Sequence, residues 1–154
     1  MPMQLAGRLA ATDRTSPGDH CPVDRAMQVV GTRSAMLLMR EAAYGTTRFD
    51  EFATRVGISD AIASSRLREL VDAGLLERRP YREPGQRTRH EYVLTESGND
   101  LVPVVLALAE WGRKHAPARW SPRFTHAGCE ADVTVTVGCT AGHQLDTEDV
   151  VVTG

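Results

Sequence analysis

The run from Arg48 to Leu94 constrains the fold most, because two short helical stretches in it lead directly into a hairpin crowded with arginine. Phe49, Phe52 and Val56 recur at helical spacing and give a first helix one apolar stripe. Ser59 is a good N-cap for a second helix over about 60–72, in which Ile62, Ala63, Leu67, Leu70 and Val71 share an apolar face. Gly74 stands where a C-terminal glycine cap belongs. The other face carries Asp60, Ala61, Ser64, Ser65 and Arg68, small or polar side chains that suit insertion into the groove of another polar polymer. Leu75 and Leu76 then begin a strand, and Glu91 to Leu94 form its return partner. Between them Arg78, Arg79, Arg82, Arg87 and Arg89 stand against one acid, Glu83, while Pro84 and Gly85 supply turn chemistry.

Two helices followed by a basic two-stranded wing is the layout of a winged helix-turn-helix. The expected fold class is therefore α+β, mainly α, and the expected activity is sequence-specific binding of double-stranded DNA. In that layout helix 60–72 enters the major groove, and the wing at about 82–89 holds the backbone or enters the minor groove. Asp60, Ala61, Ser64, Ser65 and Arg68 then face base edges, with Arg68 placed for a bidentate contact to guanine. Arg82, Arg87 and Arg89 hold phosphate, and Ser59 with the amide groups of its helix start binds a further phosphate. Arg78 and Arg79 are adjacent on a strand, so only one of them is expected to face the DNA.

The segments CPVDRAMQVVGTR (21–33), LLMREAAYGTTRFDEF (37–52), RLRELVDAGLLERRPY (66–81), RHEYVLTESG (89–98) and LALAEWGRKH (106–115) resemble the HxlR family in order and spacing. These are bacterial winged-helix transcriptional regulators with an architecture related to the MarR group, and the resemblance spans about residues 20–116. It implies a homodimer, a two-fold symmetric operator, a role such as repressor, and a small-molecule or redox signal. One departure is Ser34, which follows Gly31-Thr32-Arg33 where the family usually has tryptophan. Some relatives sense oxidants through a cysteine near the position of Cys21, which makes Cys21 a candidate redox-sensing thiol. The residues alone also allow a small N-cap there, since Pro22 follows at the first helical position.

Net charge is only −2, which does not by itself announce a nucleic-acid binder. The distribution says more. Residues 33–95 hold 11 arginines and 9 acids, a balance of +2, whereas residues 123–154 hold one arginine and five acids, a balance of −4. Local basic patches steer polyanions more than totals do. No apolar run approaches a membrane span, so a cytoplasmic protein with no membrane partner is expected. Neither a Ser/His/Asp order, a phosphate loop nor an H-E-x-x-H motif is present, and the chain is not read as an enzyme. An alternative is a winged-helix protein–protein interaction module without DNA binding, which the acidic tail favours and the arginine wing disfavours.

The remaining segments divide the chain. Residues 1–19 read as a flexible N-terminal arm, and residues 20–116 as the DNA-binding and dimerisation domain. Thr95 caps a last long helix reaching about His115, bent inside by Pro103. Leu101, Val104, Val105, Leu108 and Trp111 make one apolar stripe on it and Val102 and Leu106 part of another, which suggests a partner, most simply a second copy meeting this helix and helix 21–30. Residues 117–154 read as a small β-rich tail in which Asp132–Val137 alternates like a strand. No cofactor is required, but His126, Cys129, Cys139 and His143 form an H-x2-C-x9-C-x3-H pattern that could close a tetrahedral zinc site. The other reading of the tail is a docked hairpin with free thiols.

Overall fold

The computed structural model describes residues 2–11, 20–116 and 118–154. Helix α1 (Pro22–Val30) begins with proline in its first turn, and its N-cap Cys21 accepts the Asp24 amide through sulfur. Helix α2 (Arg33–Ala43) is capped by the Thr32 hydroxyl, which accepts the Ala35 amide at 3.2 Å. Helix α3 (Phe49–Val56) ends on Gly57, whose φ of 71° lets the chain reverse sharply toward the next helix. Helix α4 (Asp60–Asp72) starts at Ser59, whose hydroxyl accepts the Ile62 amide at 3.3 Å.

Strands β2 (Leu76–Tyr81) and β3 (Arg89–Leu94) pair antiparallel from Leu76↔Leu94 to Tyr81↔Arg89. A single bridge, Arg48↔Glu91, with the Tyr92 amide on the Thr47 carbonyl at 2.8 Å, ties this hairpin to the start of α3. Phe52, Leu38, Met39, Leu67, Leu70 and Leu76 are fully buried, so α2, α3, α4 and the base of the hairpin share one core. Each such side chain contributes about 1.5–3 kcal/mol through burial, which outweighs any single surface contact in fixing how the helices meet. The result is a winged helix-turn-helix, mainly helical, with a small two-stranded sheet.

Four expectations differ from what is observed. The C-terminal helix is not one bent rod. It is split at Leu101 into α5 (Glu96–Asp100) and α6 (Val102–His115), with Pro103 in the first turn of α6, where its missing amide costs nothing. Residues 4–5 of the expected flexible arm are paired: β1 (Gln4–Leu5) lies parallel to β4 (Val151–Val152), and the Gln4 amide meets the Val150 carbonyl at 2.9 Å. The part of that arm over 12–19 lies outside the described residues. Asp132–Val137 forms no strand. It runs between the isolated bridges Thr125↔Asp132 and Gly138↔Gln144, and the Val135 amide is bound by the α6 side chain Glu110 at 3.0 Å. Finally, Ile62 leaves the apolar face of α4 and is 47% exposed. Residues 63, 67 and 70 recur at helical spacing and face the core, whereas position 62 is turned about 100° from 63.

The Thr95–Gly98 turn locks α5 onto the joint between α4 and β2. Thr95 Oγ1 accepts the Gly98 amide at 3.1 Å and donates to the Gly74 carbonyl at 2.5 Å. A Cβ on Gly98 would stand 2.1 Å from the Leu75 carbonyl oxygen, so only glycine allows this approach. Gly98→Ala should therefore destabilise the fold by about 1–3 kcal/mol despite alanine's better helix propensity. Denaturant unfolding checks this, with a lowered midpoint expected.

Candidate nucleic-acid interface

Helix α4 turns Ala63, Leu67 and Leu70 into the core, which leaves Ser59, Asp60, Ala61 and Arg68 exposed and Ser64 half-buried on its outer side. Asp60 sits in the first turn, where the helix dipole favours a carboxylate. Arg68 is exposed and carries no ion pair among the described residues. Ser65 is committed differently from the expectation: its hydroxyl donates to Glu69 Oε1 at 3.1 Å, and Arg66 pairs with the same carboxylate. The Arg66 guanidinium holds the Glu69 carboxyl below its ordinary range, with Ser65 adding to the effect. The exposed Ile62 beside this face was assigned to the core by its apolar identity. Its place on the wheel, rather than a count of apolar residues, is the signal that finds it. Such a side chain fits the methyl group of thymine.

The wing is built around its turn. Gln86 donates its amide to the Glu83 carbonyl at 3.0 Å, and Gly85 has φ 76°, so Pro84-Gly85 occupy the two central positions of a type II turn. Arg82 packs back on this tip, its Nε donating to the Gln86 carbonyl at 3.0 Å. Arg87 and Arg89 are exposed and make no ion pair among the described residues. At the base of the wing, the Arg48 guanidinium lies 3.5 Å from the centre of the Tyr81 ring and pairs with Glu83 at 3.5 Å. Both Arg78 and Arg79 are exposed. Arg79 is paired with Glu77, and Arg78 Nη2 meets His90 Nδ1 at 3.1 Å. Arg40, Arg48, Arg55, Arg66 and Arg79 are thus each tied to a carboxylate, whereas Arg68, Arg87 and Arg89 are not.

The other candidate residues lie elsewhere. Cys21 is half-buried and acts as the N-cap acceptor of α1, with the Asp24 amide 3.5 Å from its sulfur. His126 and Cys129 form one pair, Nδ1 to Sγ at 3.2 Å, and Cys139 and His143 another at 3.4 Å. Each pair sits in its own turn, closed by its own bridge. The four side chains do not converge, and among the described residues no group of three or more His, Cys, Asp or Glu is placed to hold a metal. The second turn points backbone amides, foremost that of His143, at the Cys139 sulfur and holds its thiol below the ordinary range. Among the described residues no helix is long and apolar enough to cross a membrane.

Comparison with known proteins agrees with this geometry. The family described as HxlR-like helix-turn-helix matches residues 29–120. Rv3095, an HTH-type transcriptional regulator of Mycobacterium tuberculosis, is 35% identical over 145 residues, covering 92% of this chain and 90% of its own. YdeP, an HTH-type transcriptional regulator of Bacillus subtilis, is 32% identical over 96 residues, covering 62% of this chain and 73% of its own. Among solved structures, the transcription factor PA1607 superposes with a TM-score of 0.77 at 33% identity, covering 88% of this chain and 95% of its own, so the likeness includes most of the tail. The redox regulator HypR in its reduced form gives 0.57 at 32% identity, covering 62% and 94%. With a family match over residues 29–120 and a regulator aligned along nearly its whole length, the chain belongs to the HxlR-like helix-turn-helix family of transcriptional regulators.

Proposed function

We propose that the protein binds a two-fold symmetric duplex as a homodimer, with α4 in the major groove and the wing tip on the adjoining backbone or minor groove. The observation that carries this reading is the division of the arginines. Arg40, Arg48, Arg55, Arg66 and Arg79 are paired with Glu41, Glu83, Glu51, Glu69 and Glu77, and Arg78 and Arg82 are hydrogen-bonded to His90 and the Gln86 carbonyl. Among the described residues, Arg68 on α4 and Arg87 and Arg89 on the wing have neither kind of partner and are open to an outside anion. A free guanidinium on a helix with a small polar surface can reach O6 and N7 of guanine, with Asp60 and Ser64 as neighbouring polar groups and Ile62 against thymine. The charges at the hairpin tip meet phosphate, which carries no sequence information but fixes register. Ser59 and the first-turn amides of α4 add a further phosphate contact.

The second copy is supplied by the apolar groove between α1 and α6. It has a volume of about 520 Å³ and is lined by Val23, Met27, Met36, Leu101, Val104 and Leu108. Val23 is 68% and Leu108 53% exposed in the single chain, an amount of open apolar surface that association would remove from water. An isologous dimer places two α4 helices about one helical turn of DNA apart, which a lone subunit cannot do.

Three outcomes are expected. Arg68→Ala costs ~1–3 kcal/mol of binding and relaxes preference at one base pair of each half-site, read by anisotropy with a set of single-substituted duplexes. Arg87→Ala or Arg89→Ala weakens all duplexes alike and lowers the slope of log affinity against log salt by about one per subunit, and an unchanged slope would reject the wing assignment. Val104→Asp places a charge in the groove and converts the dimer to a folded monomer in sedimentation, with loss of symmetric-site binding; a variant that stays dimeric would refute the α1/α6 interface.

A further inference from the structure

A second cavity, of about 300 Å³, lies between α2, α6 and the segment that leads into the tail. Leu37 and Arg40 come from α2, Ala109 and Arg113 from α6, and Pro122 and Phe124 from the tail. Phe124 is held there by the Tyr44 ring, 6.2 Å away between centres. Among the described residues on the wall, Ser121 and the two guanidiniums are the polar side chains and none is a carboxylate. An apolar chamber of this size with a few fixed polar groups is the usual form of a small-molecule site. Arg113 makes no ion pair among the described residues, and Arg40 shares its charge with Glu41 behind the wall. The cavity thus offers one open and one shared cation to a negative charge, and the apolar walls select the body that carries it.

Arg40 is also one end of a polar chain that runs to the DNA-reading unit. Its Nε and Nη2 donate to Glu41 Oε1 at 3.2 and 2.7 Å. Glu41 is buried, and its other oxygen accepts the Thr46 hydroxyl at 3.2 Å. Thr46 Oγ1 in turn accepts from Arg55 Nη1 at 2.7 Å, and Arg55 belongs to α3. A carboxylate entering the cavity competes with Glu41 for the Arg40 guanidinium. Drawing Arg40 away leaves Glu41 buried with one partner fewer, a cost the Thr46–Arg55 links must absorb by moving.

We propose that this cavity binds a small amphipathic carboxylate, an aromatic or medium-chain organic acid, and that its occupancy changes DNA affinity through the Arg40–Glu41–Thr46–Arg55 chain. The regulatory half rests on the DNA-binding reading; the binding half does not. The test is calorimetric titration of the full chain with 4-phenylbutanoate and octanoate, each beside its primary amide, followed by anisotropy with a bound duplex. At least one acid should saturate at one per chain, with its amide weaker by about tenfold or more, the size of one lost charge-assisted contact. Arg40→Met and Arg113→Met should each weaken the acid but not the amide, and Ala109→Trp, which fills the chamber, should abolish both. The saturating acid should shift duplex affinity of the unaltered protein and fail to do so in Arg40→Met.

The proposal is overturned if neither acid saturates, if acid and amide bind alike, or if Ala109→Trp binds as before. It is overturned equally if the acids bind only to the monomeric Val104→Asp protein, since the partner subunit then fills the chamber. Charge-selective binding by a protein that ignores every duplex would uphold the binding site, remove its regulatory half and refute the DNA-binding reading.

Discussion

The burial of Leu67 and Leu70 from α4 against Phe52 of α3 and Leu38 and Met39 of α2 is the contact on which the rest depends. It fixes the rotation of α4 about its own axis. Once Ala63, Leu67 and Leu70 are inside, helical spacing turns 61 and 68 outward, with Ser64 half-buried at the edge of that face and Asp60 exposed in the first turn. Leu76 enters the same core, so the hairpin leaves it at a set angle and carries Arg87 and Arg89 to its tip. A core of aliphatic and aromatic side chains thus positions an outer surface carrying Arg68, Arg87 and Arg89, in which no core residue takes part.

Electrostatics refines this surface by subtraction. The segment from Arg48 to Leu94 is rich in arginine, yet much of that charge is spent internally: Arg55 on Glu51, Arg66 on Glu69, Arg79 on Glu77 and Arg48 on Glu83. Exposed pairs of this kind contribute little to stability. Their effect is to lower the field around the scaffold. With Arg78 on His90 and Arg82 on the Gln86 carbonyl, the guanidiniums of Arg68, Arg87 and Arg89 are left without a partner among the described residues. The near-neutral total charge is therefore compatible with a polyanion partner, because charges committed to local carboxylates do not compete with those aimed outward.

Much of this was legible in the sequence because it is local. Ser59, Thr95 and Cys21 act as caps at the positions their side chains suggest, and Gly74 and Gly85 take the positive φ their turns require. What was not legible depends on contacts distant in the chain or on angles finer than a residue count. Ile62 is apolar by identity but stands one helical step outside the core arc. Pro103 begins a helix rather than bending one, since Leu101 has already broken the run. The pairing of Gln4 with Val151 joins opposite ends of the chain, and the His126–Cys129 and Cys139–His143 turns are each closed by their own bridge, so four residues spaced like ligands become two separate pairs. No periodicity encodes either outcome.

Selection by the full chain from a random pool of duplexes tests the proposed dimeric DNA binding most directly. Enriched sequences should show two inverted half-sites centred roughly 10 base pairs or a multiple apart, with guanine at a position whose preference disappears in Arg68→Ala. Enrichment of a single asymmetric site indifferent to Arg68, or no enrichment at low salt, would contradict it.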